Sequence, residues 1–327
     1  MKILFIGGTG VISAACSDLC IEKGFDLLLL NRNLSPRKTP NLARVINADI
    51  RNIRDVKIKL ANEKFDVVVN WVAYNEEHVK NDFDLFKNIT DQYIFISSAS
   101  AYNKPPLKLP ITEDVPLHNP FWKYSQDKID CEKYLMKMFA EKEFPVTICR
   151  PSHTYDKTRF PLYGNYTAFH RMKHNKNVII HENGNTLWTL TNAKDFAKGF
   201  FGLLGNPNTF GQAYHITSDE VMTWNHIAGT IASAAGLELR VTNIPSDFIS
   251  KYDYEWGCNL FGDKGYDTIF DNSKIKSIVP EFKASIPYSE GVKQIIDWYS
   301  EKENQIVNSD LDNLMDKMIT DYGYLQK

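Results

Sequence analysis

Five cysteines in 327 residues (Cys16, Cys20, Cys131, Cys149 and Cys258) form an odd set without a single CxxC pair. Cys16 and Cys20 lie one helical turn apart, which predicts small core residues and no metal site. Unpaired thiols of this kind point to a reducing compartment. The chain also lacks a basic block and an acidic tail. Its 38 Lys and Arg against 40 Asp and Glu leave a net charge of −2. A nucleic-acid groove calls for a basic stripe, so that class of partner is not expected. No apolar run approaches the roughly 18 residues of a membrane span. The first apolar stretch begins at residue 2 and runs into glycines, unlike a signal peptide. A cytoplasmic protein without a membrane partner is the expectation. Internal repeats and low-complexity tracts are absent as well.

What remains is a chain with ample core-forming material, 43% hydrophobic and 13% aromatic. Short apolar runs at 2–7, 26–31, 44–48, 66–72, 93–97 and 146–150 read as buried parallel strands. Helical stretches separate them, at 13–23, 52–62 and, longest of all, 123–143 ahead of Pro145. Strand–helix alternation implies right-handed crossovers, and hence an α/β fold of the Rossmann type with a doubly wound parallel sheet. Ligands bind such a sheet at the carboxyl ends of its strands. Beyond residue 155 prolines, asparagines and aromatics become frequent, and the apolar stretch 188–200 again resembles core. The organisation expected is a dinucleotide domain from 1–157 and about 188–215. A smaller, discontinuous substrate lobe would take 158–187 and 216–327.

Residues 2–13, Lys-Ile-Leu-Phe-Ile-Gly-Gly-Thr-Gly-Val-Ile-Ser, place Gly7, Gly8 and Gly10 between a strand and a helix. Small residues there let the amides of Val11 and Ile12, at a helix N-terminus, approach a pyrophosphate. Ser13 stands where the third glycine of that fingerprint falls. Tyr124 and Lys128 are four apart on the longest predicted helix, so the ammonium can lie beside the phenol. A cation there favours the phenolate and makes the tyrosine a usable acid/base. Ser98 ends the fifth strand, within the crevice.

In that order the glycine turn, Ser98 and the Tyr124/Lys128 pair resemble the extended short-chain dehydrogenase/reductases, the branch of NAD-dependent epimerases and dehydratases. The likeness covers about residues 1–300. It includes Asp-Val-Val-Val-Asn-Trp-Val-Ala at 66–73, Arg-Pro-Ser-His-Thr-Tyr at 150–155, Asp-Phe-Ala at 195–197 and Asp-Asn-Ser-Lys at 271–274, then Glu290-Gly291 and Trp298-Tyr299. The resemblance implies that Tyr124 is the catalytic acid/base, Lys128 holds the nicotinamide ribose, and Ser98 positions the reacting oxygen. Asp49 and Ile50 would meet the adenine and Ala73 would lie against the cofactor. At the end of strand two, Asn31-Arg32 replaces the acidic residue that selects NAD. With Arg37 and Lys38 nearby, this favours a 2′-phosphate and NADP over NAD.

The chain departs from the family at three places. Ala99 and Ser100 stand where sugar dehydratases carry an Asp-Glu pair, so loss of water is not expected. His153 replaces an asparagine, and Asp156 a glycine. Trp188 replaces an arginine that binds substrate pyrophosphate. Together with Tyr74, Asn75, Ser100 and Tyr102, these positions predict an aromatic-walled pocket for an uncharged sugar-like or alicyclic alcohol. The reaction expected is hydride transfer at a secondary alcohol, as a dehydrogenase or as an epimerase working through a transient ketone. A nucleotide-sugar 4-epimerase is the alternative within the class. A non-catalytic NAD(P)-binding regulator or RNA-associated protein is the alternative outside it. A homodimer is expected through the helices bearing Phe83, Leu85, Phe86 and Tyr134, Leu135, Met138.

Overall fold

The computed structural model describes residues 1–35 and 37–326. Strands β1 (Lys2–Ile6), β2 (Asp26–Asn31), β3 (Arg44–Asn47), β4 (Val67–Asn70), β5 (Tyr93–Ile96) and β6 (Val146–Pro151) alternate with four helices. These are α1 (Val11–Glu22), α2 (Ile53–Lys59), α3 (Glu76–Phe86) and α4 (Lys123–Lys142). Asparagine side chains at 52 and 75 cap α2 and α3, and such caps satisfy amides that a helix start leaves unpaired. Helix α4 stops where Glu143 turns left-handed at φ 55°, two residues ahead of Pro145.

The chain then continues through β7 (His153–Tyr155), α5 (Tyr166–Lys173), β8 (Val178–His181), β9 (Leu187–Trp188), β10 (Leu190–Asn192) and α6 (Ala193–Phe201). It proceeds through β11 (Gln212–Ile216), β12 (Met222–Thr223), α7 (Trp224–Ala235), β13 (Val241–Ile244), α8 (Ser246–Tyr252) and α9 (Tyr254–Asn259). Helices α10 (Ser273–Ile278), α11 (Tyr288–Trp298) and α12 (Ser309–Leu325) complete it.

Seven parallel strands make the main sheet, in the order β11-β6-β5-β4-β1-β2-β3. The order in which strands are added reverses at β1, which puts the switch point at the glycine turn. Both faces of the inner strands β1, β2, β4, β5 and β6 are buried, which is why they read as unbroken apolar runs, whereas edge strand β3 is largely exposed. Ile3, Phe5, Leu27 and Leu29 pack with Cys16, Cys20, Phe196 and Phe200 on one side. Leu4, Ile6, Val68 and Phe95 meet Val56, Phe86 and Leu135 on the other. The chain thus returns to the sheet through α6 and β11 after leaving it at β6.

Above the strand ends, short pairs β7–β10, β8–β13 and β9–β12 and the remaining helices build a second core, around Trp188, Trp224 and Tyr288. Helix α12 packs on α5 and α8. Arg171 clamps it through Asp312 and Asp316 at 2.5 and 2.7 Å. Among the described residues no helix is long and apolar enough to cross a membrane.

Candidate active site

A cleft of 2810 Å³ runs from the glycine turn along the strand ends into the second core. Gly7 and Gly8 adopt φ of 100° and 107°, a region that side chains avoid. A Cβ on Gly8 would also lie 2.7 Å from Leu29. The turn therefore has no room for side chains, Gly7, Gly8 and Gly10 line the cleft, and α1 begins there, with Val11 and Ile12 on the wall. Ser13 fills the third-glycine position by turning inward, where its Oγ accepts from the Gly10 amide at 2.7 Å. Arg37 reaches over the turn, donating to the Gly10 carbonyl at 2.9 Å and pairing with Asp156 at 2.8 Å. Bare backbone at a helix N-terminus with a guanidinium beside it fits a diphosphate.

Ser98, Tyr124 and Lys128 line the same cleft. Lys128 is buried and donates to the carbonyls of Ala73 and Ile96, both at 2.7 Å. An ammonium has three donors, so one is left over. Its nitrogen lies 5.7 Å from the centre of the Tyr124 ring and 5.2 Å from that of Tyr74. Burial pushes the Lys128 pKa down to about 8. Tyr124 differs from the expectation of a lowered value: burial raises it to about 12, against a weaker pull from a hydrogen bond with Ser98. Desolvation of the phenolate outweighs a cation that is itself desolvated and tied to carbonyls. Ser98 is held in turn by Ser100, at 2.9 Å, and Ser100 by Ser125, at 2.8 Å.

The other cofactor residues lie around the β2, β3 and β4 ends. Asn31 accepts from the Asn33 amide, and exposed Arg32 stands 3.8 Å from the Asp49 carboxylate. Asp49 also accepts from the Arg51 amide, while Ile50 and Ala73 are buried. None of these five lines the cleft by its surface.

Of the expected substrate residues, Tyr74 and His153 line the cleft, and Ser100 does so from a buried position. Three others do not. Tyr102 is fully buried, its hydroxyl donating to His215 Nδ1 at 2.9 Å and its ring under Arg150. His215 Nε2 then donates to the Asp271 carbonyl, so Tyr102 joins the sheet edge to the 271–274 segment. Asn75 spends its side chain capping α3. Trp188 is also fully buried, donating its indole N–H to His153 Nδ1 at 3.0 Å. Here the core claims the two aromatic side chains, and the start of α3 claims the amide.

Sequence reasoning missed the opposite wall. Asp263 and Lys264 reach the cleft from a π-helical turn, Leu260–Lys264, and Arg159 from the loop after β7. Single π turns recur at functional sites, but nothing in the local pattern marks this one.

A parallel sheet with a glycine-rich switch point and a Ser, Tyr and Lys at its crevice defines a dinucleotide-dependent short-chain dehydrogenase/reductase architecture. The profile of the NAD dependent epimerase/dehydratase family matches residues 3–217, and the chain belongs to that family. It is 23% identical to mouse (Mus musculus) dTDP-D-glucose 4,6-dehydratase over 91% of this chain and 88% of that one. It is 26% identical to the chloroplast stem-loop binding protein of 41 kDa b of Arabidopsis thaliana, over 72% of this chain. The match spans 63% of the plant protein, a little under two thirds of its length. Among solved structures, the UDP-glucuronic acid 4-epimerase of Bacillus cereus, in complex with UDP-glucuronic acid and NAD, superposes with a TM-score of 0.75. It shares 19% identity, with 92% of this chain and 99% of that one covered. A dTDP-glucose 4,6-dehydratase of Bacillus anthracis in complex with NAD gives 0.75, at 16% identity over 93% and 97%. The expected preference for NADP finds no support in these neighbours, which hold NAD.

Proposed function

We propose that this enzyme interconverts a secondary alcohol and a ketone on a sugar-like substrate, with Tyr124 moving the hydroxyl proton. The observation that carries this reading is the meeting of Ser98, Tyr124 and Lys128 on one wall of the cleft that begins at the glycine turn. The dinucleotide supplies the hydride acceptor and donor. The Val11 and Ile12 amides would hold its diphosphate, and the spare donor of Lys128 would take a ribose hydroxyl. Ser98 orients the substrate oxygen toward Tyr124, whose phenolate takes the hydroxyl proton on oxidation and whose phenol returns it on reduction.

An epimerase, including a nucleotide-sugar 4-epimerase, leaves the dinucleotide unchanged overall, whereas a dehydrogenase releases it reduced. Loss of water is not part of the proposal, although dehydratases are among the relatives. Ala99 and Ser100 offer no carboxyl, and the Ser100 hydroxyl is held by Ser98 and Ser125. Incubation with a panel of secondary alcohols, sugars and nucleotide sugars tests the reading. Either reduced nicotinamide or an inverted product is expected. Turnover by elimination of water alone would contradict it.

The cofactor proposed is NAD. Arg32 faces Asp49, and Arg37 is engaged by Asp156, so neither guanidinium is free for a 2′-phosphate. Fluorescence titration is expected to give NADH at least the affinity of NADPH, and a tenfold preference for NADPH would reverse the assignment. An RNA-binding role, suggested by the plant relative, has a net charge of −2 against it. A homodimer through α3 and α4 completes the proposal; of the residues expected at that interface, Phe86, Leu135 and Met138 are buried against the sheet instead, which leaves Phe83, Leu85 and Tyr134.

A further inference from the structure

A hydroxyl has one proton to give and two acceptor sites, and at Ser98 a single residue takes both acceptor sites. Ser98 caps the short helical turn Ala99–Ala101, where its Oγ accepts from the Ser100 amide at 3.2 Å. The Ser100 hydroxyl lies 2.9 Å from the same Oγ. Ser125 decides which of these two hydroxyls donates. Buried beside Tyr124 on α4, it gives its own proton to Ser100 Oγ at 2.8 Å. Ser100 is buried too, and among the described residues its proton has no acceptor other than Ser98. Were Ser98 to donate instead, the Ser100 proton would be left buried and unpaired, which is unfavourable. The protons therefore point from Ser125 to Ser100 to Ser98, and that of Ser98 is left for the cleft.

The arrangement is held from the far side as well. Buried Asn119 donates to the Ser100 carbonyl at 2.7 Å and to the Gly262 carbonyl at 2.6 Å, which ties Ser100 to the π-helical turn. Burial raises the Tyr124 pKa, and the hydrogen bond with Ser98 pulls it back, as a donor to the phenolate does.

We propose that Ser100 is a positioning residue: its amide and hydroxyl fill both acceptor sites of Ser98, so that Ser98 faces the cleft only as a donor and the Tyr124 proton passes directly to the substrate oxygen. This rests on the reading of Tyr124 as the acid/base and adds to it the route of the proton. On reduction the Tyr124 O–H bond breaks and its proton bonds the carbonyl oxygen as the carbonyl carbon takes the hydride. Ser98 donates a hydrogen bond to the same oxygen and keeps its own proton. On oxidation the phenolate takes the proton back by the same direct path. Ser98 cannot carry that proton in either direction, because it has no site left to receive it.

Tyrosinate absorbance of the full chain with saturating NAD tests the proposal. The Tyr124 step is isolated by subtracting the titration of the matching Tyr124→Phe protein. Removing the Ser100 hydroxyl opens an acceptor site on Ser98, to which the phenol donates, and this stabilises the protonated form. Ser100→Ala is therefore expected to move the Tyr124 step to higher pH by about half to one unit, the size of one hydrogen bond. Ser98→Ala is expected to raise it as well. Adding Ser100→Ala to Ser98→Ala is expected to change nothing further, since Ser100 acts only through Ser98. Lys128 and Cys131 on α4, Tyr74 after β4 and Asp263 on the π turn also face Tyr124, and they are the same in every variant. Ser125→Ala frees Ser100 to turn and is expected to shift the step the same way by less, which provides a second variant should Ser100→Ala fold poorly. A downward shift or none in these two variants, or a shift that persists at full size in the Ser98→Ala background, would overturn the proposal and leave Tyr124 as the acid/base. A wild type without any NAD-dependent Tyr124 step would remove both.

Discussion

Tyr124→Phe is expected to lower turnover by about a thousandfold while leaving dinucleotide affinity unchanged. Loss of a positioned acid/base removes roughly 10²–10⁴ in rate, and the phenylalanine ring keeps the contact with Trp122, whose ring centre lies 5.0 Å away. The phenol also has the right charge state for donating a proton. With its pKa pushed up to about 12, Tyr124 is protonated throughout the neutral range. Reduction of a ketone therefore proceeds with the proton in place. Oxidation of an alcohol needs the phenolate, so its rate is expected to rise with pH. Above about pH 8 the neighbouring Lys128 begins to lose its own proton, and its hold on a ribose hydroxyl weakens with it. The opposite pH dependence of the two directions, measured on the wild type, checks this sign. Unchanged turnover in the phenylalanine variant would remove Tyr124 from the mechanism.

Glu132→Gln is expected to destabilise the fold by about 3–5 kcal/mol, the usual effect of leaving one member of a buried ion pair alone. Glu132 on α4 and Arg150 on β6 are both buried and meet through two guanidinium nitrogens, Nε at 3.0 Å and Nη2 at 2.6 Å. The Arg150 side chain lies 4.9 Å from the centre of the Tyr102 ring. Neutralising the carboxylate removes the guanidinium's hydrogen-bonded ion-pair partner at the centre of this network. Urea denaturation followed by circular dichroism measures the change. A loss under about 1 kcal/mol would mean that the pair is solvated in solution, as surface pairs are.

The same network shows where sequence reading stops. The sheet was legible because strands buried on both faces must be apolar throughout, and the helices because their caps and breakers are local. Tyr124 and Lys128 were legible because a spacing of four fixes a common face whatever the tertiary structure. Tyr102 follows the β5 end, as Ser98 does, and Trp188 is the last residue of the two-residue strand β9. Their direction depends on partners far along the chain, His215 in one case and His153 in the other. Lys264 carried no local signal at all, since the bond that fixes its turn joins Asn119 to Gly262, 143 residues apart. The Tyr124 pKa went the other way for a related reason: proximity of the lysine was readable, but its burial and its two carbonyl partners were not.

The central claim is that Tyr124 stands against the charged ring of the bound dinucleotide. The most direct measurement is the tyrosinate absorbance of wild type and Tyr124→Phe as pH is raised, with and without NAD. A positive ring in the cleft favours the phenolate. One tyrosine of the wild type is therefore predicted to ionise at lower pH when NAD is bound, and that early step is predicted to be missing from the variant. Identical titrations of the two proteins in the presence of saturating NAD would contradict the account.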